Sequence, residues 1–115
     1  MNAIYKNAVN RQELCFADDP AACVEILVSY KQRGQILLQK RKADLRIEED
    51  RTRAGREHWT ASWEITPEET MRFSDRYPLF LQALRITADG VQEPGRILEI
   101  DVIDALDHTL LREGR

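Results

Sequence analysis

HWTASWEITPEETMRF, residues 58–73, is the stretch that decides the fold. Trp59, Ala61, Trp63 and Ile65 fall on one face of a period-two segment, and His58, Thr60, Ser62 and Glu64 fall on the other. That alternation is the pattern of a half-buried strand. Thr66 then offers an N-cap hydroxyl, Pro67 takes the first helical position, where its missing N–H costs nothing, and Glu69 completes a Thr-x-x-Glu capping box. The strand therefore runs into a short capped helical turn. Every special residue of the stretch has an architectural job, so it speaks for a fold and names no chemistry.

Upstream, residues 24–32 place Val24, Ile26, Val28 and Tyr30 on one face of a central strand. Arg33-Gly34 gives a tight reversal into a partner strand at residues 35–41, and the pair reads as a hairpin. A weaker strand at residues 45–48 precedes a polar loop at 49–57, which Gly55 allows to turn. Nearer the start, residues 4–5 and 13–16 read as short strands, and Asp18-Asp19-Pro20 breaks the run before one helical turn at residues 21–23. Downstream, a strand at residues 79–87 is apolar on both faces at its start, which predicts cover on both sides or a subunit contact. Ala88-Asp89-Gly90 begins the last reversal, Pro94-Gly95 completes it, and residues 97–103 close the sheet.

The spacing predicts an all-β chain, an immunoglobulin-like two-sheet sandwich of about seven strands with one short helical turn before the penultimate strand. It lacks the Cys-Trp-Cys pattern of antibody domains. A small barrel would have a similar strand count, and the sequence does not separate the two. Residues 1–104 form one domain in this reading, and residues 105–115 a polar C-terminal tail with a final turn at 105–111.

A chain of 115 residues has room for a single core. With 43% apolar and 32% charged residues it has the composition of a soluble globular domain. The net charge of −3 argues against global attraction to nucleic acid or to anionic lipid. The first sixteen residues lack the apolar core of a signal peptide, and no segment is apolar enough for a membrane span. Cys15 and Cys23 are too few for a disulfide framework and lack metal-ligand spacing, so both are expected reduced and partly buried.

Candidate chemistry is sparse. His58 falls on the solvent face of the Trp strand, and His108 beside Asp107 resembles half a triad, but no Ser or Cys is placed to receive its proton. No metal, phosphate-loop or calcium-loop motif occurs, so no catalytic, cofactor or metal residue is assigned. Glu64, Glu68 and Glu69 could be an acid/base cluster, but a helix N-terminus accounts better for the last two. Lys40, Arg41, Lys42 and Arg46, continued by Arg51, Arg53 and Arg56, form a basic edge. Asp44, Glu48, Glu49, Asp50 and Glu57 interleave with it and leave a local net charge of about +2. A solvated edge that resists stray strand pairing is the favoured reading over a phosphate site. Trp59 and Trp63 share their face with Ala61 and Ile65, which favours core packing over a sugar or base platform. Leu79, Phe80 and Leu81 are the candidate partner contact, because their apolar excess exceeds what one face needs.

The order of these segments resembles that of small Ig-like proteins of bacteriophages and prophages. The resemblance is carried by IYKN (residues 4–7), VSYKQRG (28–34) followed by Ile36, WEITPEETMRF (63–73), and Gln82, Arg85 and TADG (87–90) before the final strand. The chain departs from it in the Arg-rich stretch at residues 50–58, in Glu93-Pro94-Gly95 and in the extended polar tail. The resemblance implies a non-enzymatic virion structural or assembly protein of tail or baseplate type. It would be made in the host cytoplasm and contact other virion proteins or itself as a homo-oligomer. It implies no cofactor and transfers no residue roles. Two other readings stand beside it, a small module presenting Trp or Tyr to a glycan and a prophage-encoded regulator that binds a host protein.

Overall fold

The computed structural model describes residues 3–50 and 58–104, and among them nine strand segments build two sheets. The segments are β1 (Ala3–Tyr5), β2 (Asn10–Phe16), β3 (Glu25–Gln32), β4 (Gln35–Arg41), β5 (Arg46–Glu49), β6 (Trp59–Ile65), β7 (Leu79–Ile86), β8 (Gln92–Pro94) and β9 (Leu98–Ile103). One α-helical turn, α1 (Pro67–Thr70), follows β6, and 3₁₀ turns lie at Pro20–Ala22 and Lys42–Asp44. The larger sheet has the order β1-β9-β7-β3-β4, with β8 on the far half of β7, and the smaller has the order β2-β6-β5. All pairings are antiparallel except β1 with β9. A three-stranded B-E-D layer facing a G-F-C-C′ layer is the immunoglobulin arrangement, and this strand order matches it. Two open sheets also remove the barrel alternative.

The Trp strand and its capped turn form as the alternation requires. Ala61, Trp63 and Ile65 are buried, the Thr66 hydroxyl accepts from the Glu69 N–H, and the Glu69 carboxylate accepts from the Thr66 N–H. Trp59, at the strand's start opposite Phe16, is only half-buried, whereas Ser62 on the other face is buried. On β3 the core face is Ile26, Val28, Tyr30 and Gln32; Val24 lies before the strand and is 59% exposed. Arg33 and Gly34 both take positive φ in a two-residue turn, the geometry that matches the strands' right-handed twist. The register of β3 on β4 shifts between Tyr30 and Lys31, where Leu37 is the extra residue. Residues 92–94, read from sequence as loop, instead add a short strand to β7.

A hydrogen bond joins the layers at the centre of the core. Trp63 Nε1 donates to the Tyr30 hydroxyl at 2.9 Å, with both side chains buried, and the Tyr30 ring packs on Phe73 at 5.6 Å between centroids. Tyr30 thus fills a central-strand aromatic position without any disulfide behind it; Cys15 and Cys23 are both free, the first half-buried and the second buried. Burial pushes the Tyr30 hydroxyl well above the ordinary phenol range, so it stays protonated and able to accept. Gln32 closes the base of the sandwich. Its amide donates to the carbonyls of Ser74 and Tyr77 at 2.7 and 2.9 Å and accepts from the Ser74 N–H at 2.8 Å. The tail at residues 105–115, with His108, and loop residues 51–57 lie outside the described residues.

Candidate functional site

Strand register decides which side chains share the outer face of the larger sheet. Lys31 stands opposite Ile36 on β4 and Phe80 on β7, and Phe80 stands opposite Glu99 on β9. The next outward row is Gln39, Ser29 and Gln82, joined by a 3.0 Å bond from Gln39 Nε2 to Ser29 Oγ. Beyond it comes Arg41, Leu27, Leu84 and Pro94. Apolar side chains therefore occupy alternate rows of a face open to solvent. Phe80 is 37% exposed, Ile36 51% and Ile97 60%. A shallow hollow of ≈ 300 Å³ lies between Phe80 and Ile97, floored by Ser29, Lys31, Gly34 and Gln82.

This register corrects the expected partner contact. Leu79 pairs with Gln32 and Ile100, Leu81 pairs with Tyr30, and both leucines are buried in the core between the sheets. They cannot meet another molecule without opening the sandwich. Of the three, Phe80 alone faces outward, because successive residues of a strand point to opposite faces. The surplus that the sequence displayed is one side chain; Ile97 faces it across the hollow, and Ile36 lies on the far side of Lys31.

The expected basic edge divides in two: Arg41 and Arg46 are solvated, in keeping with the favoured reading, whereas Lys40 and Lys42 turn onto neighbouring groups. Lys40 pairs with Val28, so it faces inward at the sheet margin, and its ammonium lies 3.0 Å from both oxygens of the Glu69 carboxylate. Arg41 lies 3.9 Å from Glu25, and Arg46 Nε lies 3.3 Å from Glu48. Lys42 donates to the carbonyls of Ala21 and Cys23 at 2.9 and 2.6 Å. Lys40 and Lys42 close the margin beside β4, and Arg41 and Arg46 stay open to solvent among acids.

The acids follow the same logic. Burial pushes the Glu69 carboxyl up, but the Thr66 N–H and the Lys40 ammonium outweigh it and hold the group below its usual range. Glu25 is held low mainly by the Lys42 and Ile26 N–H groups, and Asp89 by the Thr87 hydroxyl. Glu69 is thus the cap acceptor of α1 and the partner of Lys40, the role that a helix N-terminus gives it. His58 Nε2 lies 3.1 Å from Glu49. Among the described residues, no group of three or more His, Cys, Asp or Glu could hold a metal ion, and no helix is long and apolar enough to cross a membrane. Burial of Trp63 and Tyr30 in the core leaves half-buried Trp59 and the exposed Tyr5 and Tyr77 for the glycan reading.

A second concavity lies on the opposite side of the sandwich. β1 spans only three residues and covers the margin beside Asn10 and Gln12, whose inward amides hold Tyr5, Ala8 and Ala3. Past Ala3 the sheets part over a cleft of ≈ 520 Å³ lined by Leu14, Phe16, Leu81, Ala83, Arg85 and Leu98, among others. The Arg85 guanidinium lies 5.5 Å from the centre of the Phe16 ring and 3.7 Å from Glu93.

No protein-family model matches the sequence, and no curated protein matches it. Among solved structures, the chain is similar to the extracellular domain of mouse leukocyte-associated immunoglobulin-like receptor 1, a strand-swapped dimer. That match has 13% identity and a TM-score of 0.44 over 88% of this chain and 85% of the other. It is also similar to the V domain of amphioxus IgVJ-C2, with 9% identity and a TM-score of 0.34 over 86% of this chain and 96% of that one. The immunoglobulin-like assignment rests on the strand order of the two sheets.

Proposed function

We propose that this domain is a non-enzymatic docking module that serves as a structural or assembly component of a phage or prophage particle, at its tail or baseplate. The observation that carries the docking role is the exposed apolar pair Phe80 and Ile97 about one hollow on the outer face of the larger sheet, with Ile36 exposed on the far side of Lys31. Two large apolar side chains, Phe80 and Ile97, face each other across a hollow floored by Ser29, Lys31 and Gln82, the make-up of a small contact with an apolar centre among polar groups. The particle assignment draws on the segment order IYKN, VSYKQRG, WEITPEETMRF and TADG. The neighbour on this face would be another virion protein.

The test is whether the protein travels with the particle. Particles induced from a host carrying the gene are purified on a density gradient and their proteins identified by mass spectrometry. The proposal expects this chain in the particle fraction at a fixed ratio to the tail proteins. Its absence from particles, together with co-purification with a host protein, would replace the proposal with the regulator reading. Glycan-dependent quenching of Trp fluorescence would replace it with the sugar-binding one.

A further inference from the structure

Among the described residues no strand pairs with the outer margin of β2, where β1 meets only the inward amides of Asn10 and Gln12. On its other side β2 pairs along all seven residues with β6. Its solvent face carries Arg11 and Glu13. Glu13 has no ion-pair partner among the described residues, and Arg11 reaches only Ser62 Oγ, at 3.4 Å. Charges on an edge ordinarily discourage pairing with other edges. Here their order also makes the edge complementary to itself.

We infer that two copies of this chain pair antiparallel through β2, about a two-fold axis at Gln12. This register places Arg11 opposite the second copy's Glu13, and Glu13 opposite the second copy's Arg11. The two three-stranded sheets become one continuous six-stranded sheet, in an isologous contact with reciprocal ion pairs. Neighbouring registers are disfavoured by the same charges. Centring on Arg11 or on Glu13 sets like charges directly opposite each other, and centring on Leu14 leaves Arg11 with no acid across the joint. The cleft beside Leu14 and Phe16 flanks the joint in each copy. This interface is separate from the Phe80 face, which stays open in the dimer.

The test is molar mass by light scattering across a concentration series, at low and high salt, with circular dichroism to check the fold of each variant. The natural chain should pass from monomer to dimer with concentration, and salt should shift it back. Glu13→Arg sets Arg against Arg twice and should weaken dimerisation roughly tenfold or more. Adding Arg11→Glu to it rebuilds both reciprocal pairs and should restore the dimer. A chain carrying only Arg11→Glu should also fail to self-associate, yet should form a mixed dimer with the Glu13→Arg chain. Phe80→Glu should leave the dimer intact. A natural chain that stays monomeric at every concentration, a double variant as weak as the single one, or a dimer lost with Phe80→Glu would each overturn the inference.

Discussion

Tyr30→Phe removes one oxygen from the centre of the core, and its effect can be worked out from the geometry. The Trp63 Nε1–H donates to that oxygen at 2.9 Å, and both side chains are buried. The substitution keeps the ring and its packing on Phe73 but strands a buried indole N–H. An unsatisfied buried donor costs about 1–3 kcal/mol. For a domain of this size each kcal/mol lowers the melting temperature by about 4 °C, so the expected loss is about 4–12 °C. Urea unfolding followed by circular dichroism measures it directly, with an unchanged m-value showing that the denatured state is not what changed. A cycle with Trp63→Phe isolates the bond. Trp63→Phe should cost less in the Tyr30→Phe background than in the natural chain, by about 0.5–2 kcal/mol. A Tyr30→Phe protein within about 0.3 kcal/mol of the natural one, or a cycle with no coupling, would refute the claim that this hydrogen bond joins the two sheets.

Two further predictions concern stability. Gln32→Leu removes the three bonds that tie β3 to Ser74 and Tyr77 and leaves their backbone groups unpaired. It should cost about 2–4 kcal/mol and raise hydrogen exchange in residues 74–78 ahead of the rest of the domain. Uniform exchange across the domain would count against the clamp. Glu25, Glu69 and Asp89 titrate below their ordinary values in the folded chain, so the unfolded state binds protons first. The stability they add is complete above the ordinary carboxylate value of 4.5 and is lost as pH falls through the lowered ones. At the other extreme, the raised Tyr30 hydroxyl contributes stability that is complete below pH 10.0 and is lost as pH rises above it. Urea midpoints at pH 3, 7 and 11 check both limbs; Glu69→Gln should flatten the acid one and Tyr30→Phe the alkaline one.

What was legible in the sequence was local. The alternation of residues 59–65, the Thr66-to-Glu69 capping box, the Arg33-Gly34 turn and the Asp19-capped turn at Pro20 all arise from interactions within a few residues. They stand as read. What was not legible depends on pairing between distant segments. The run Leu79-Phe80-Leu81 is apolar on both faces, and only its register against Tyr30 and Lys31 shows that the leucines face the core and Phe80 faces out. Lys40 looks like any exposed strand cation, yet the shift at Leu37 and its pairing with Val28 turn it inward onto Glu69. Ile97 gave no signal alone, because its significance is that it faces Phe80 across one hollow. The self-complementary order of Arg11 and Glu13 matters only once β2 is seen to have no second strand paired with it among the described residues.

The central claim is that the face carrying Phe80 holds a partner. Its most direct test compares particle incorporation of the natural chain and of Phe80→Glu, both expressed in the host during particle production. Phe80 lies on an outer face, so the substitution should cost about 1–2 kcal/mol in lost burial and in a Glu opposite Glu99 and still leave a folded domain, which circular dichroism checks. The account predicts a folded variant whose amount in gradient-purified particles falls at least tenfold, because a buried carboxylate at an apolar contact is strongly unfavourable. Incorporation of Phe80→Glu at the level of the natural chain would contradict it.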